Sequence, residues 1–265
     1  MHVDANGVRI EYRVEGNGPW VTLSHALACN LSMWDEQAAL LARRHRVLRY
    51  DIRGHGGTTA APPPYTLEQL ADDALALFDA LGIARSHWVG LSLGGMIGET
   101  FALKYPQRVE SLALCDTTSR YPADAAATWD ERIRNAEARG MAALADVTLT
   151  RWFTEPYRAA HPEVMQKFRD AIAATPVAGY AGCGRAIATI DLTDKLRGLR
   201  MPALVMVGEQ DLGTPVAMSQ EIADAIPGAE LLVIPDAAHL SNVEQADAFN
   251  RALLEFLDRA TRKRA

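Results

Sequence analysis

Trp88-Val89-Gly90-Leu91-Ser92-Leu93-Gly94-Gly95 joins the end of an apolar run, a G-x-S-x-G turn and the start of a helical pattern. A strand that turns this sharply into a helix leaves the central serine strained. Glycines two before and two after it let the backbone pass close without a side-chain clash. The Ser92 hydroxyl is then expected to project into a cleft above a sheet. The turn also sets the Leu93 N–H at a helix N-terminus, aimed at any negative charge that develops on a substrate oxygen. G-x-S-x-G also arises by chance in glycine-rich turns. Here the strand before it, the helix after it and Gly95 beyond it favour the functional reading.

On both sides of this turn, apolar runs alternate with helical patterns. Strands are predicted over residues 8–14, 20–24, 46–51, 87–90, 109–115, 203–207 and 231–234, and helices over 31–43, 67–81, 94–104, 215–225 and 245–259. Several strands are continuous apolar runs, which suits burial on both faces of a parallel sheet. Within 67–81, Leu67, Leu70, Ala74, Leu77 and Leu81 make one helical stripe, and Gly82 stops it. Such alternation predicts an α/β fold with a mostly parallel central sheet and helices on both faces. The short turn Glu15-Gly16-Asn17-Gly18-Pro19 predicts that the sheet begins with an antiparallel pair, 8–14 with 20–24. Pro62-Pro63-Pro64 reads as a stiff loop.

The alternation breaks over residues 118–192. Helical patterns at 128–139, 141–150, 162–174 and 178–190 follow one another there with no convincing strand. Ligand sites in open α/β sheets lie at the carboxyl ends of the strands, so an all-helical insertion at this point predicts a cap over such a site. The competing reading is a set of packing helices with no role. The expected organisation is a core domain of residues 1–117 and 193–265 and a helical cap of residues 118–192.

A serine at neutral pH needs a base. On this pattern of elements the expected chain order is serine, acid, histidine. His239, in Asp236-Ala237-Ala238-His239-Leu240, follows the last strand and precedes the final helix, where a base can hang over the nucleophile. Asp211, in Val207-Gly208-Glu209-Gln210-Asp211, follows the preceding strand and can bind the far ring nitrogen of His239. Glu209 is a weaker rival. Asp116, at the end of the 109–115 strand, is a stronger one. Asp211 is preferred because a glycine-led turn and a short loop place it beside the last strand. Among the other histidines, His2 is terminal, His45 lies between basic residues, His87 is inside a strand and His161 precedes a proline in the helical segment. His55, in Arg53-Gly54-His55-Gly56-Gly57, reads as a loop-ordering residue. His25 ends an early strand and is placed to shape an oxyanion loop whose second donor is the Leu27 N–H.

Composition narrows the classes. The 265 residues suffice for one large α/β domain with an insertion or for two small domains. Hydrophobic residues make up 49% and charged residues 23%, with a net charge of -6, so no nucleic-acid partner is expected. The basic run from Arg259 to Arg264 reads as a fraying tail. No apolar stretch of membrane-spanning length appears, and the opening residues lack a signal-peptide pattern. Cys29, Cys115 and Cys183 are odd in number, far apart and without metal-ligand spacing, so small buried hydrophobes in a reduced cytoplasm are expected. Neither a P-loop, a zinc motif nor a dinucleotide fingerprint is found, so no metal or organic cofactor is expected.

With these residues in view, nearly the whole chain resembles the 3-oxoadipate enol-lactonases and their close carboxylesterase relatives in the α/β-hydrolase superfamily. The likeness rests on Leu31-Ser32-Met33-Trp34, Val47-Leu48-Arg49-Tyr50-Asp51, Arg53-Gly54-His55-Gly56, Gly90 to Gly95, Arg151-Trp152-Phe153 and His239-Leu240-Ser241-Asn242-Val243-Glu244. It implies the α/β-hydrolase fold, and attack by Ser92 on a lactone carbonyl with His239 as base and Asp211 behind it. It implies an oxyanion held by the Leu27 and Leu93 N–H groups, and 3-oxoadipate as product of aromatic-acid catabolism. That substrate carries a carboxylate. Arg132, with Trp129 one helical turn earlier, matches an arginine and a tryptophan of similar spacing in the family, and Arg151 and Trp152 are a second option. A solvated helix charge beside Glu131, Arg134 and Arg139 is the plainer reading of Arg132, and packing is that of Trp152. The chain departs from the family at Ala26 and Ala28, where glycine is frequent, and at Leu93, where methionine is commoner. A narrower pocket would suit a carboxylesterase of another small ester. A ligand-binding protein that keeps only the fold is the third reading, and the complete Ser-Asp-His set speaks against it. The expected partner is a small ester or lactone, and a homo-oligomer is compatible with the sequence.

Overall fold

In the computed structural model, residues 1–122 and 125–262 are described, so the last part of the basic tail, 263–265, lies outside the described residues. Eight strands form one sheet: β1 (His2–Ala5), β2 (Val8–Glu15), β3 (Trp20–Ser24), β4 (Arg46–Tyr50), β5 (Ser86–Leu91), β6 (Val109–Cys115), β7 (Ala203–Gly208) and β8 (Glu230–Ile234). Their order is β1-β2-β4-β3-β5-β6-β7-β8. Only β1 with β2 and β2 with β4 are antiparallel; the other neighbours are parallel.

The predicted pairing of 8–14 with 20–24 does not occur, because β4 lies between β2 and β3. Gly16 and Gly18 both adopt positive φ, and a Cβ on either would collide with the backbone of residues 42–45. The Arg46 N–H donates to the Pro19 carbonyl at 2.9 Å. The turn therefore passes over the start of β4 and closes no hairpin. Strand β1 escaped prediction because it is four residues long, polar at His2 and Asp4, and nowhere fully buried.

The helices are α1 (Asp35–Leu41), α2 (Leu67–Ala80), α3 (Leu93–Lys104), α4 (Ala125–Arg139), α5 (Ala145–Trp152), α6 (Glu155–Ala160), α7 (Pro162–Ala174), α8 (Val177–Ala188), α9 (Thr193–Leu196), α10 (Val216–Ala225), α11 (Ser241–Glu244) and α12 (Ala246–Arg262). They cover both faces of the sheet, as two neighbours on β5 show. Successive strand residues point to opposite faces. Trp88 stacks on Phe101 of α3 at 5.1 Å between centroids and meets Phe78 of α2 at 6.3 Å. His87 meets the Thr261 hydroxyl of α12 at 3.5 Å. All six residues of β5 are buried, the condition a central parallel strand requires. Helix α2 starts where the Thr66 hydroxyl accepts the Gln69 N–H at 3.1 Å, and Gly82 follows it at φ 65°.

Six helices, α4 to α9, lie between β6 and β7, and the first five of them precede the point where the chain rejoins the sheet. The chain leaves and rejoins the sheet side by side: Arg120 and Asp191 form an isolated antiparallel bridge, and the Leu192 N–H donates to the Ser119 carbonyl at 2.8 Å. Helix α8 rests closely on the loop after β4. A Cβ at Gly179 would collide with the Gly54 carbonyl, and one at Gly182 would enter the Tyr65 ring at 2.5 Å. All three cysteines are free and buried. No helix among the described residues is long and apolar enough to cross a membrane.

Candidate active site

Ser92 sits between β5 and α3 at φ 54° and ψ -117°, a conformation that non-glycine residues rarely adopt. Its surroundings hold it there. The Ser92 N–H donates to the Cys115 carbonyl at 2.9 Å, and the Thr117 hydroxyl donates to the Ser92 carbonyl at 2.8 Å. The glycines on either side answer to space. A Cβ at Gly90 would strike the Gly94 carbonyl, and one at Gly94 would strike the Ser24 carbonyl. One at Gly95 would lie 2.7 Å from the Thr117 side chain.

His239 and Asp211 meet because the loops after β7 and β8 are zipped together. The Glu209 N–H donates to the Ile234 carbonyl at 2.9 Å, and the Gln210 N–H to the Ala237 carbonyl at 2.8 Å. Gly208 has no room for a Cβ beside the Ala238 carbonyl. His239 Nδ1 then lies 2.8 Å from Asp211 Oδ2. The Gly213 and Thr214 N–H groups donate to Asp211 Oδ1 at 2.7 and 3.0 Å, and the Thr214 hydroxyl donates to Oδ2 at 2.7 Å. Glu209 is exposed. Asp116 is wholly buried, but its carboxylate accepts from the Gly208 N–H at 2.8 Å and the Ser241 hydroxyl at 2.5 Å. Of the three acids weighed, Asp211 is the one bonded to the ring.

Burial opposes charge at all three groups. At His239 the charge and hydrogen bond of Asp211 outweigh it, so the ring keeps its proton to a higher pH than an ordinary histidine. At Asp211 burial is outweighed by His239 and the Thr214 bonds, and the carboxyl lies below its usual range. At Asp116 burial and then the charge of Asp211 push the pKa well up, and the His239 charge and the bonds from Ser241 and Gly208 are too weak to offset them.

Ser92 and His239 line one cavity. Ala26, Leu27 and Ala28 form part of its floor. Among the described residues the Leu27 N–H has no protein acceptor. The Leu93 N–H opens α3 and is one of the donors that a helix start leaves without an intrahelical partner, although the side chain is buried beneath the cavity.

Trp129 and Arg132 from α4, Arg151 and Trp152 from α5, and Tyr180 from α8 supply the wall. The Arg132 guanidinium lies 4.9 Å from the centroid of the Trp129 ring. Among the described residues neither Arg132 nor Arg151 has a carboxylate partner. Burial and the nearby Arg132 charge lower the pKa of Arg151. Two guanidiniums near each other on one cavity wall suit an anionic group.

Several residues here carry no motif. Tyr121 and Tyr180 also line the cavity, and nothing in their spacing announces it. Thr214 could have been found, since a threonine three residues after an acid is a turn signal. Glu244 ties the histidine loop to the helical segment. It accepts the Ala238 N–H at 2.9 Å, the Thr154 N–H at 3.0 Å and the Thr154 hydroxyl. Among the described residues no three His, Cys, Asp or Glu side chains gather as a metal site would require.

A family model described as the alpha/beta hydrolase fold matches residues 19–246. The chain is 34% identical over 251 residues to 3-oxoadipate enol-lactonase 2 of Acinetobacter baylyi, covering 94% of this chain and 93% of that protein. It is 33% identical over 258 residues to a Variovorax paradoxus protein that bears the name carbamate hydrolase RutD, covering 95% and 97%. Among solved structures, the enol-lactonase from Burkholderia xenovorans LB400 superposes with a TM-score of 0.94 at 42% identity, over 97% of this chain and 100% of that one.

Proposed function

Since the chain belongs to the alpha/beta hydrolase family, we propose that it is a serine hydrolase that opens a carboxylic ester or lactone, and that its substrate is 3-oxoadipate enol-lactone. The observation that carries the hydrolytic reading is the Asp211–His239 pair at 2.8 Å, sharing one cavity with a serine held at φ 54°. In this reading Ser92 Oγ attacks the lactone carbonyl while His239 takes its proton. The oxyanion of the tetrahedral intermediate rests on the Leu27 and Leu93 N–H groups. Collapse breaks the ring C–O bond. The departing enolate takes the proton back from His239 and tautomerises to the ketone. Water, deprotonated by His239, then cleaves the acyl-serine, and the proton returns to Ser92.

The finer reading, the enol-lactone, is supported by Arg132 and Arg151. Both line the cavity without a carboxylate partner among the described residues, and a substrate carboxylate supplies one. Trp129 and Trp152 line the same cavity. The division into a core of residues 1–117 and 193–265 and a cap of 118–192 belongs to the same proposal, with α4, α5 and α8 supplying the carboxylate-facing wall. A carboxylesterase of another small substrate is the second reading. The Ala26 and Ala28 methyls at the floor favour it by narrowing the space beside Ser92.

The test follows the ultraviolet absorbance of the enol-lactone, with a short-chain p-nitrophenyl ester in parallel. Lactone loss is expected to vanish in Ser92→Ala. In Arg132→Ala the KM for the lactone should rise tenfold or more, on the order of 1.5–3 kcal/mol for a charged hydrogen bond, with the uncharged ester unaffected. Ester cleavage without lactone loss would remove the enol-lactone and leave the esterase.

A further inference from the structure

Leu27 lies between two peptide units, and a buried histidine holds each of them. His25 Nδ1 is 2.7 Å from the Ala26 carbonyl oxygen and donates to it beside the Cys29 N–H at 3.1 Å, while its Nε2 accepts the Ile52 N–H at 3.0 Å. His55 Nε2 accepts the Ala28 N–H at 3.0 Å, and its Nδ1 donates to the Arg53 carbonyl at 3.2 Å. Each ring thus donates at Nδ1 and accepts at Nε2, which only the neutral imidazole can do, and in one tautomer. Both rings have no solvent exposure, and they lie 5.4 Å apart. Burial drops their pKa values to about 3 for His25 and about 4 for His55.

In a trans peptide the carbonyl and the N–H of one planar unit point in opposite directions. The unit that carries the Ala26 carbonyl also carries the Leu27 N–H. Holding that carbonyl toward His25 turns the Leu27 N–H the other way, where it meets no protein acceptor among the described residues, on a segment that lines the cavity. The next unit carries the Ala28 N–H, which His55 holds. Ala28 sits at φ 60°, a conformation that an alanine resists. The bond to His55 works against the relaxation of that residue.

We propose that His25 and His55 are positioning residues that fix the two peptide planes around Leu27 and so aim its N–H at the oxyanion. The role of that N–H rests on the hydrolytic reading above; the pinning of the strip does not. The test is kinetic and spectroscopic. In His55→Leu, which removes the acceptor, kcat on a p-nitrophenyl ester should fall 100- to 1000-fold, the effect of losing one oxyanion donor. KM should stay within about twofold, and the count of folded sites titrated by a fluorophosphonate should be unchanged. His55→Gln offers an amide oxygen to the Ala28 N–H and should restore at least tenfold of that loss. His25→Leu should show the same split.

Unchanged kcat in both leucine variants, or a fall explained by lost folded sites alone, overturns the proposal. The amide resonance of Leu27 gives a readout that needs no turnover. It should shift in His55→Leu and return toward the wild-type position in His55→Gln. If wild-type protein hydrolyses no ester, the functional reading fails, and the pinning is then judged on this resonance: a position unmoved in His55→Leu overturns it.

Discussion

At His239, burial and a neighbouring charge act in opposite directions, and the outcome sets a pH dependence. In the proposed mechanism His239 must be neutral to take the Ser92 proton. Its pKa lies above 6.5, the ordinary histidine value, because Asp211 outweighs burial. Activity is therefore expected to fall on the acid side through a midpoint above 6.5, read as the acid limb of kcat/KM. Asp211→Asn removes the charge that raises the pKa. The limb should then move to lower pH, and kcat should fall on the order of 10⁴-fold because the tautomer is no longer fixed. A limb that stays in place would show that Asp211 does not set the His239 titration. Ser92, Asp211 and His239 were legible because each follows a strand end in a short motif with glycine or histidine punctuation. Arg151 was legible only as an option. What makes it a candidate is that it has no carboxylate partner among the described residues, and pairing between distant segments leaves no trace in local spacing.

Glu244 joins the histidine loop to Thr154 at the start of α6, and this was not legible at all. Glu244 stood in a quoted motif, but its partners, Ala238 and Thr154, are 6 and 90 residues away. The Leu240 N–H also donates to the Trp152 carbonyl at 3.1 Å, so the base and the wall of the cavity share a frame. Glu244→Ala leaves the buried Ala238 N–H and the half-buried Thr154 N–H without an acceptor. It should destabilise the protein by about 2–4 kcal/mol, on the basis of roughly 1–3 kcal/mol per orphaned group, read as a lower midpoint in urea. A midpoint within error of wild type would show that water replaces the carboxylate there. The strand–helix alternation was read correctly from apolar runs. The first turn was misread because its two glycines looked like hairpin residues. Their positive φ serves close passage over residues 42–45 instead, a contact with a segment nearly thirty residues away.

The whole molecule buries two kinds of titratable group with opposite effects on stability. His25 and His55 stay neutral when folded, so the unfolded chain binds their protons first as pH falls below 6.5 and folding is disfavoured. Glu99 behaves in the reverse sense. It is wholly buried, neither carboxylate oxygen has a partner among the described residues, and burial raises its pKa well above 4.5. Above 4.5 the unfolded chain has released this proton and the folded one retains it, so the Glu99 contribution falls as pH rises. Glu99→Gln removes that dependence. The variant should gain on wild type by roughly 1.4 kcal/mol for each pH unit above 4.5, up to the folded-state pKa. Urea midpoints at pH 5, 6 and 7 measure it, and a constant difference across the three would sink the idea. In the sequence Glu99 follows Gly98 in a helical stretch, and nothing in that spacing announces its burial. That both of its faces are covered follows from how α3 packs in the assembled fold.

The seating of α8 on the loop after β4 has a further consequence. Where Gly54 and Gly179 meet, backbone touches backbone, and no side chain takes part in the contact. Such a joint is indifferent to what the rest of the helix displays. Tyr180 and Ile187 face the cavity from the same helix, so inheritance can exchange them one at a time without unseating it. Lineages that share these two glycines are free to diverge in the ester they accept, and a laboratory library drawn over the cavity-facing residues of α8 would explore chemistry while leaving its mounting untouched.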